Sequence, residues 1–206
     1  VPYPLPTIGK VDSGIVTLSK YEVKDSRRFA LPCPFSYPIR TANLKRCLMI
    51  DRVPVGGSDK ELVLVNLHLE AYDDGDGKAA QTQMLQEILQ EEVKDGNYVI
   101  AGGDFNQAFS GVDTSMYPKI SEDLWQPGEI DTDLFGEDLT LVTDNSAPSC
   151  RSLDQPYAGA DHEKFQYYLI DGFIVSGNVT VESVETQKLK FKNSDHNPIL
   201  MKVTLD

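Results

Sequence analysis

Apolar and polar side chains alternate along many short stretches of the chain, which is the pattern of half-buried β-strands. The stretch at residues 62–69 begins almost wholly apolar and is therefore expected to be buried on both faces. Apolar side chains fall at helical spacing over residues 78–93, which predicts a helix that stops before Gly96. Strands are predicted at residues 13–21, 44–55, 62–69, 98–101, 139–143, 167–175, 179–186 and 198–205.

Prolines and glycines mark the segments between these elements. Residues 1–13 are expected to form an irregular lead-in, because Pro2, Pro4 and Pro6 interrupt regular structure. Residues 24–41 hold three further prolines and are predicted to cross the surface as a loop. Residues 107–165 are predicted to be mostly loop, and a connection of this length is usually functional. With no repeat or linker to divide it, the chain is expected to form a single α+β domain over residues 1–206.

The composition narrows the classes of partner. The 206 residues include 19 basic and 32 acidic side chains, so the net charge is −13. This balance argues against a broad electrostatic grip on nucleic acid, although a metal ion can shield a phosphate at one site. No apolar stretch approaches the roughly 20 residues of a membrane span, so a soluble protein is expected. Three scattered cysteines indicate no disulfide framework, so they do not distinguish a cytoplasmic from a secreted location. The sequence also leaves the oligomeric state open.

Four polar segments lie where predicted strands end: Asn66–Leu69, Gly103–Asn106, Ile170–Phe173 and Ser194–Pro198. Any one of them can be structural, because Asp and Asn side chains cap local turns. Together they hold two of the three histidines, each with a carboxylate available to orient it. An Asp-oriented histidine suits proton transfer to or from water. Oxygen ligands without a thiolate cluster favour Mg²⁺ or Mn²⁺, so the residues predict metal-assisted hydrolysis of a phosphate ester.

In this order and spacing, the four segments resemble the endonuclease/exonuclease/phosphatase superfamily. This superfamily includes deoxyribonuclease I, abasic-site endonucleases, sphingomyelinases and inositol polyphosphate 5-phosphatases. The matching motifs are N-x-H-L, G-D-F-N, I-D-x-x-(I/V) and S-D-H-x-P, and Ser13–Tyr21 is similar to a further strand of the family. The resemblance runs from about Asp12 to Leu205. It implies a four-layer sandwich of two mixed β-sheets flanked by helices.

The resemblance also implies roles for individual residues. His196 would be the general base, oriented by Asp171, and His68 would be a second catalytic histidine at the leaving oxygen or the scissile phosphate. Asp104 would position the attacking water and Asn106 would stabilise the pentacoordinate phosphorus. Asp195 would either contact the metal or fix the conformation of its loop. Arg46 would either contact a phosphate or lie on the solvent side of its strand, and Asn66 would take part in substrate binding.

The chain also departs from the family pattern. Upstream of Asp12 there is neither the family's Asn-containing strand nor the strand ending in the Glu that is its main metal ligand. We therefore expect the chain to be the greater, C-terminal part of a larger domain. Leu169 stands where abasic-site endonucleases often carry Arg, which disfavours that activity.

The function expected from the sequence is a Mg²⁺- or Mn²⁺-dependent phosphoester hydrolase acting on a small or lipid-like ester. A nuclease acting on DNA and a non-catalytic binding domain are the alternatives. Two further residues belong to the long loop. His162 is expected to be exposed there, and Trp125 is expected to pack the loop against the core. A substrate contact is the less favoured interpretation of each.

Overall fold

The computed structural model describes residues 2–5, 9–73 and 75–206, with side chains from residue 13 onward. The chain divides into two compact units, Val1–Gly103 and Asp104–Asp206. The first unit holds β1 (Pro2–Leu5), β2 (Gly9–Asp12), β3 (Asp25–Ala30), β4 (Cys47–Pro54), β5 (Glu61–His68), α1 (Asp76–Lys94) and β6 (Tyr98–Asp104), which ends at the boundary. The second holds β7 (Gln107–Phe109), β8 (Gly128–Ile130), β9 (Leu139–Val142), β10 (Cys150–Arg151), β11 (Tyr167–Tyr168), β12 (Asp171–Ser176), β13 (Val179–Thr186) and β14 (Ile199–Leu205).

The first unit is built on a sheet whose strands run in the order β3–β4–β5–β6. β4 and β5 are antiparallel, with Leu48 opposite Leu67 and Ile50 opposite Val65, and all four side chains are buried. Along β5 only alternate residues are buried, so the prediction that this strand is buried on both faces is wrong. The intervening residues are half-buried, because an antiparallel pair alternates its two faces.

Helix α1 confirms the helix predicted at residues 78–93 and extends it by two residues at the start and one at the end. Its first turn is capped by Asp73, whose Oδ2 accepts hydrogen bonds from the backbone N–H groups of Gly77 and Lys78 at 2.6 and 3.1 Å. Carboxylates stabilise helix starts in this way because the first N–H groups have no partner within the helix. The helix ends before Gly96, which adopts the left-handed conformation (φ 78°) as expected.

The second unit combines short strand pairs with longer connections. β9 and β12 are antiparallel, as are β10 and β11, and β13 and β14, whereas β7 and β8 are parallel. The strands predicted near residues 139–143, 179–186 and 198–205 are all present. The predicted strand at residues 167–175 is present in two pieces, β11 and β12, separated by Leu169 and Ile170. Mixed sheets with few helices place the chain in the predicted α+β class.

Three further predictions for the first unit are wrong. Residues 13–19 are irregular rather than a strand, although the Val16 carbonyl accepts a hydrogen bond from the Asn66 side chain at 2.8 Å. Residues 25–30 form β3 rather than loop, because an edge strand can be polar on both faces. The lead-in pairs β1 with β2, since prolines are tolerated on edge strands. Val1, residues 6–8 and Asp74 lie outside the described residues.

Glycine at one position is required by a close approach of two strands. A Cβ atom on Gly103 would lie 2.1 Å from the carbonyl oxygen of Leu67, and the φ of Gly103 is 147°. Both the space and the backbone conformation exclude other residues there. Gly103 therefore lets β6 run against β5 immediately before Asp104. Across the described residues, we find no helix with the length and hydropathy needed to cross a membrane.

Candidate active site

The second unit brings His196 and Asp171 into direct contact. Nδ1 of His196 lies 2.9 Å from Oδ2 of Asp171, and the two side chains are 29% and 15% exposed. Asp171 is the first residue of β12, and His196 forms an isolated bridge with Cys150. A carboxylate on Nδ1 holds the ring so that its other nitrogen, Nε2, is presented for proton transfer. The pairing of these two residues, expected from the sequence, is present in the structure.

Asp104 and Asn106 lie beside the same histidine. Oδ2 of Asp104 is 3.7 Å from Nε2 of His196, and its side chain is 14% exposed. Oδ1 of Asp104 accepts a hydrogen bond from the backbone N–H of Asn106 at 2.8 Å, while the Asn106 amide donates to Oδ2 at 3.3 Å. Asn106 adopts a left-handed backbone (φ 52°), and Phe105 between them is fully buried. The turn after β6 thus puts a carboxylate and an amide next to His196, as their alternation about Phe105 predicted.

Ser149 positions this group and was not found by sequence reasoning. Oγ of the fully buried Ser149 accepts hydrogen bonds from the N–H groups of Ile170 at 3.0 Å and Asp171 at 3.2 Å. Its carbonyl accepts from the N–H of Asn197 at 2.8 Å. One serine therefore ties the residue that orients His196 to the segment that carries His196. No motif surrounds this serine, so the sequence offered no signal for it.

The environment changes the acid–base behaviour of the site. Burial lowers the pKa of His196, but hydrogen bonds with Asp171 and Cys150 outweigh burial and raise it to about 11. Burial also raises the pKa of the Cys150 thiol, although the contact with His196 opposes that change. Cys150 is 6% exposed and lies against the ring, so its sulfur is shielded from solvent.

The first unit holds three further predicted residues, which are His68, Arg46 and Asn66. His68 and Arg46 line one cavity of about 270 Å³ together with Arg28 and Lys45. Arg46 is buried, with Nε 3.8 Å from Oε2 of the equally buried Glu70.

The side-chain amide of Asn66 contacts the irregular segment of residues 13–19. Its amide nitrogen donates to the Val16 carbonyl and, at 3.3 Å, to Oγ1 of Thr17. This amide anchors the irregular segment 13–19, and its predicted contact with substrate stays a prediction.

Asp195 and the predicted metal need separate treatment. Asp195 is half-buried, with its carboxylate 3.4 Å from Oγ of Ser194 and its carbonyl accepting from the N–H of Arg151. In the part of the chain that the structure describes, no three His, Cys, Asp or Glu side chains converge as a metal site. The carboxylates nearest His196 face the imidazole and Asn106 instead. The described donor set does not fit a metal ion, and the binding of Mg²⁺ or Mn²⁺ stays a prediction.

Solved structures with the same fold identify the architecture. An endonuclease/exonuclease/phosphatase from Bacteroides vulgatus matches with a TM-score of 0.58 and 19% identity over 90% of this chain and 67% of that one. The chain has the endonuclease/exonuclease/phosphatase fold. TDP2 from D. rerio, complexed with a single-strand DNA product, shares this fold with a TM-score of 0.58 and 15% identity over 89% of this chain and 68% of that one. A mannosyl-6-phosphatase from Bacteroides thetaiotaomicron does so with a TM-score of 0.53 and 16% identity over 89% and 67%.

This likeness is one of fold, because the identities are low. No protein-family profile and no curated protein sequence matches the chain. The chain spans about two thirds of each of the three solved structures. Proteins with the endonuclease/exonuclease/phosphatase fold include phosphatases and enzymes that act on DNA, so the activity of this chain has to be argued from its own residues.

Proposed function

We propose that the chain carries the general-base half of a phosphoester hydrolase, in which an activated water attacks phosphorus. The observation that supports this proposal best is the line of contacts Asp171–His196–Asp104. A histidine held by a carboxylate on one ring nitrogen and facing a second carboxylate with the other is arranged to take a proton from water.

In this proposal His196 is the general base and Asp171 orients it. The hydrogen bond at Nδ1 leaves Nε2 to accept the proton and stabilises the imidazolium that forms. The backbone of Asp171 is held by Ser149 as well as by its place at the start of β12, which fixes the point from which its carboxylate reaches His196. An oriented base of this kind contributes about 10²–10⁴-fold to a hydrolytic rate.

Asp104 positions the water and Asn106 assists at the phosphoryl group. A water about 2.8 Å from both Oδ2 of Asp104 and Nε2 of His196 fits across the 3.7 Å that separates them. The Asn106 amide is a neutral donor, which suits an oxygen whose negative charge grows during attack. Asn106 is 6% exposed, and the hydrogen bond from its amide to Oδ2 of Asp104 fixes where that amide points.

His68 and Arg46 are proposed to bind the anionic part of a substrate within the first unit. Their cavity gathers three cationic side chains and one histidine, in a chain whose net charge is −13. Such local positive charge in an acidic protein favours a phosphate-sized anion. Arg46 keeps its orientation through Glu70, which faces it from within the core.

The class of substrate is a finer part of the proposal. We favour a small or lipid-like phosphomonoester or phosphodiester over duplex DNA, because the acidic chain offers little attraction for a long polyanion. Action on DNA is the alternative, since TDP2, which shares the fold, is known with a single-strand DNA product. The predicted Mg²⁺ or Mn²⁺ would polarise a phosphoryl oxygen when bound.

The test is a hydrolysis assay on bis-p-nitrophenyl phosphate and p-nitrophenyl phosphate. It uses the full chain with Mg²⁺, with Mn²⁺, and with a chelator. We expect release of p-nitrophenol, and the comparison with the chelator tests the predicted dependence on a divalent ion. His196→Ala is expected to lower kcat about 10³-fold, because the base is removed. Lys202→Ala, on the exposed surface of β14, serves as the control and should keep the parental rate.

Three results would overturn the proposal. The first is a His196→Ala variant that is folded, as judged by circular dichroism, and keeps the parental kcat. The second is a Lys202→Ala control that loses as much kcat as His196→Ala. The third is the absence of hydrolysis of either ester under every metal condition. Plasmid DNA, sphingomyelin, inositol phosphates and nucleotides assayed alongside then separate the candidate substrates. Hydrolysis confined to DNA would contradict the preference for a small ester and leave the assignment of His196 intact.

A further inference from the structure

A second cavity lies wholly within the second unit and is lined by side chains that the proposed hydrolysis does not use. It encloses about 390 Å³, which is large enough for a planar ring and its substituents. Its wall combines aromatic rings, two lysines and the residue that follows His196. The side chains that carry the argument are Tyr157, His162, Tyr167, Lys188, Lys190 and Asn197.

The rings of the cavity already stack on one another. Tyr157 and His162 lie with their ring centroids 4.4 Å apart and their planes 29° apart, and Tyr167 stacks similarly on Phe191 at 5.7 Å and 25°. His162 is exposed, so a planar ligand can extend the first stack. Beneath it, the guanidinium of the buried Arg151 lies 5.2 Å from the Tyr157 ring centre and holds that ring in place. The cavity is thus built around a fixed aromatic platform.

Asn197 lines the same cavity and carries a buried acceptor atom. The side chain is 5% exposed, and its Nδ2 donates to the carbonyl of Pro148 at 3.0 Å, which fixes the amide orientation. Among the described residues, Oδ1 of Asn197 has no hydrogen-bond partner. A buried amide oxygen without a partner is costly and favours a ligand that brings an N–H or O–H donor.

Lys188 and Lys190 supply positive charge at the cavity. Both are exposed, and the turn that carries them places Lys190 and Phe191 consecutively in the left-handed conformation, with φ 57° and 55°. The hydroxyl of Tyr157 donates to the Lys190 carbonyl and so stabilises this strained turn. Non-glycine residues adopt that backbone only where surrounding contacts impose it. The turn therefore holds the backbone that carries the two lysines at the edge of the aromatic platform.

We propose that this cavity binds a nucleotide. A base that carries an N–H donor would stack on the rings and donate to Oδ1 of Asn197, and its phosphate would lie against Lys188 and Lys190. A planar ring, a buried acceptor and paired cations match the three chemical parts of such a ligand. The same chemistry is offered by a free mononucleotide and by a base in a single strand. Binding here uses none of the residues assigned to hydrolysis, so the proposal stands independently of that activity.

The experiment measures binding by calorimetry to the full chain. The probes are AMP, GMP, CMP and UMP, ribose 5-phosphate, and a single-stranded pentanucleotide. We expect at least one of the mononucleotides to bind about tenfold more tightly than ribose 5-phosphate, because stacking adds to the phosphate contact. His162→Ala should weaken that binding about tenfold. Replacement of both Lys188 and Lys190 by Ala should weaken it about fivefold at low salt, with a smaller loss at high salt.

Lys192→Ala is the matched control, since this exposed lysine belongs to the same turn but does not line the cavity. Both His162 and the two lysines are exposed, so these variants are expected to fold. Tighter binding of the pentanucleotide than of any mononucleotide would show that the base belongs to a strand. The proposal is overturned if no mononucleotide binds more tightly than ribose 5-phosphate, or if the Lys192 control loses as much affinity as the cavity variants. Binding can be retained with no hydrolysis, and hydrolysis can persist with no binding, so the two proposals fail separately.

Discussion

At the scale of single residues, the proposed chemistry depends on how strongly Asp171 holds the proton of His196. Hydrogen bonding raises the pKa of His196 to about 11 although burial opposes it, so the imidazolium predominates at neutral pH. A base must first lose that proton, and the hydrolytic rate is therefore expected to rise with pH through the pKa of His196. In Asp171→Asn that pKa should be lower, so the inflection should move to lower pH by at least about one pH unit. The maximal rate should also fall, because the ring is no longer oriented.

The measurement is a profile of kcat/KM against pH for the parent chain and Asp171→Asn. Asp131→Asn serves as the matched control, because Asp131 accepts from the Asp133 N–H at the start of a 3-10 turn and takes no part in the site. Its profile should overlay the parental one. An inflection that stays in place in Asp171→Asn would show that Asp171 does not set the proton affinity of His196.

The sequence predicts the chemically distinctive residues of the site but not the ordinary ones that hold them. Asp171, His196, Asp104 and Asn106 lie together as their strand-end positions indicated. The role of Ser149 could not be predicted from the sequence, because it depends on the backbone amide groups that the fold places next to its hydroxyl. The contact of Asn66 with the segment 13–19 likewise depends on the path of a distant backbone.

At the scale of elements, hydrogen bonds with a neighbouring segment hold the first residue of β12 in place. Oγ of Ser149 accepts from two backbone N–H groups at the start of β12, and both lose their partner in Ser149→Ala. The variant is expected to be about 2 kcal/mol less stable, because buried amides without partners are costly. We also expect kcat to fall several-fold with little change in KM, since Asp171 would be held less firmly.

Urea unfolding and steady-state kinetics test this expectation. Ser176→Ala is a suitable control, because Ser176 is a buried serine at the opposite end of the same strand and its hydroxyl donates to Asn178. Ser176→Ala should lower the free energy of unfolding while kcat stays at the parental value. Equal kinetic effects in the two variants would indicate that Ser149 supports β12 generally rather than Asp171.

Predictions of elements succeeded where alternation and burial coincide and failed where they do not. β13 was predicted with its observed bounds, and β4, β5 and β14 to within a few residues, because side chains on one face of each strand are less exposed than those on the other. β3 was mistaken for loop because Asp25, Arg27 and Arg28 make it polar on both faces. Residues 13–21 alternate equally well, yet Val16 and Leu18 are 72% and 91% exposed. Alternation alone does not provide a strand with a pairing partner.

At the scale of the whole molecule, the charge of −13 should govern how substrates approach. A polyanion is repelled by the chain, and salt screens that repulsion. We therefore expect kcat/KM for a single-stranded oligonucleotide to rise about two- to fivefold between 20 and 150 mM salt, while that for a small ester changes little. The measurement compares the two substrates over one salt series. A steep fall for the oligonucleotide would indicate a basic binding surface that outweighs the net charge.

The single tryptophan gives the molecule a built-in optical label. Trp125 packs edge-to-face against Tyr168 at 5.1 Å, and its carbonyl accepts from the Tyr168 hydroxyl at 2.7 Å. Both residues belong to the second unit, so tryptophan fluorescence reports on that unit, whereas the far-ultraviolet signal includes the long helix of the first. Melting curves recorded by the two methods on one sample therefore weight the two halves of the chain differently. Their coincidence or separation reveals whether the two units unfold as one cooperative structure.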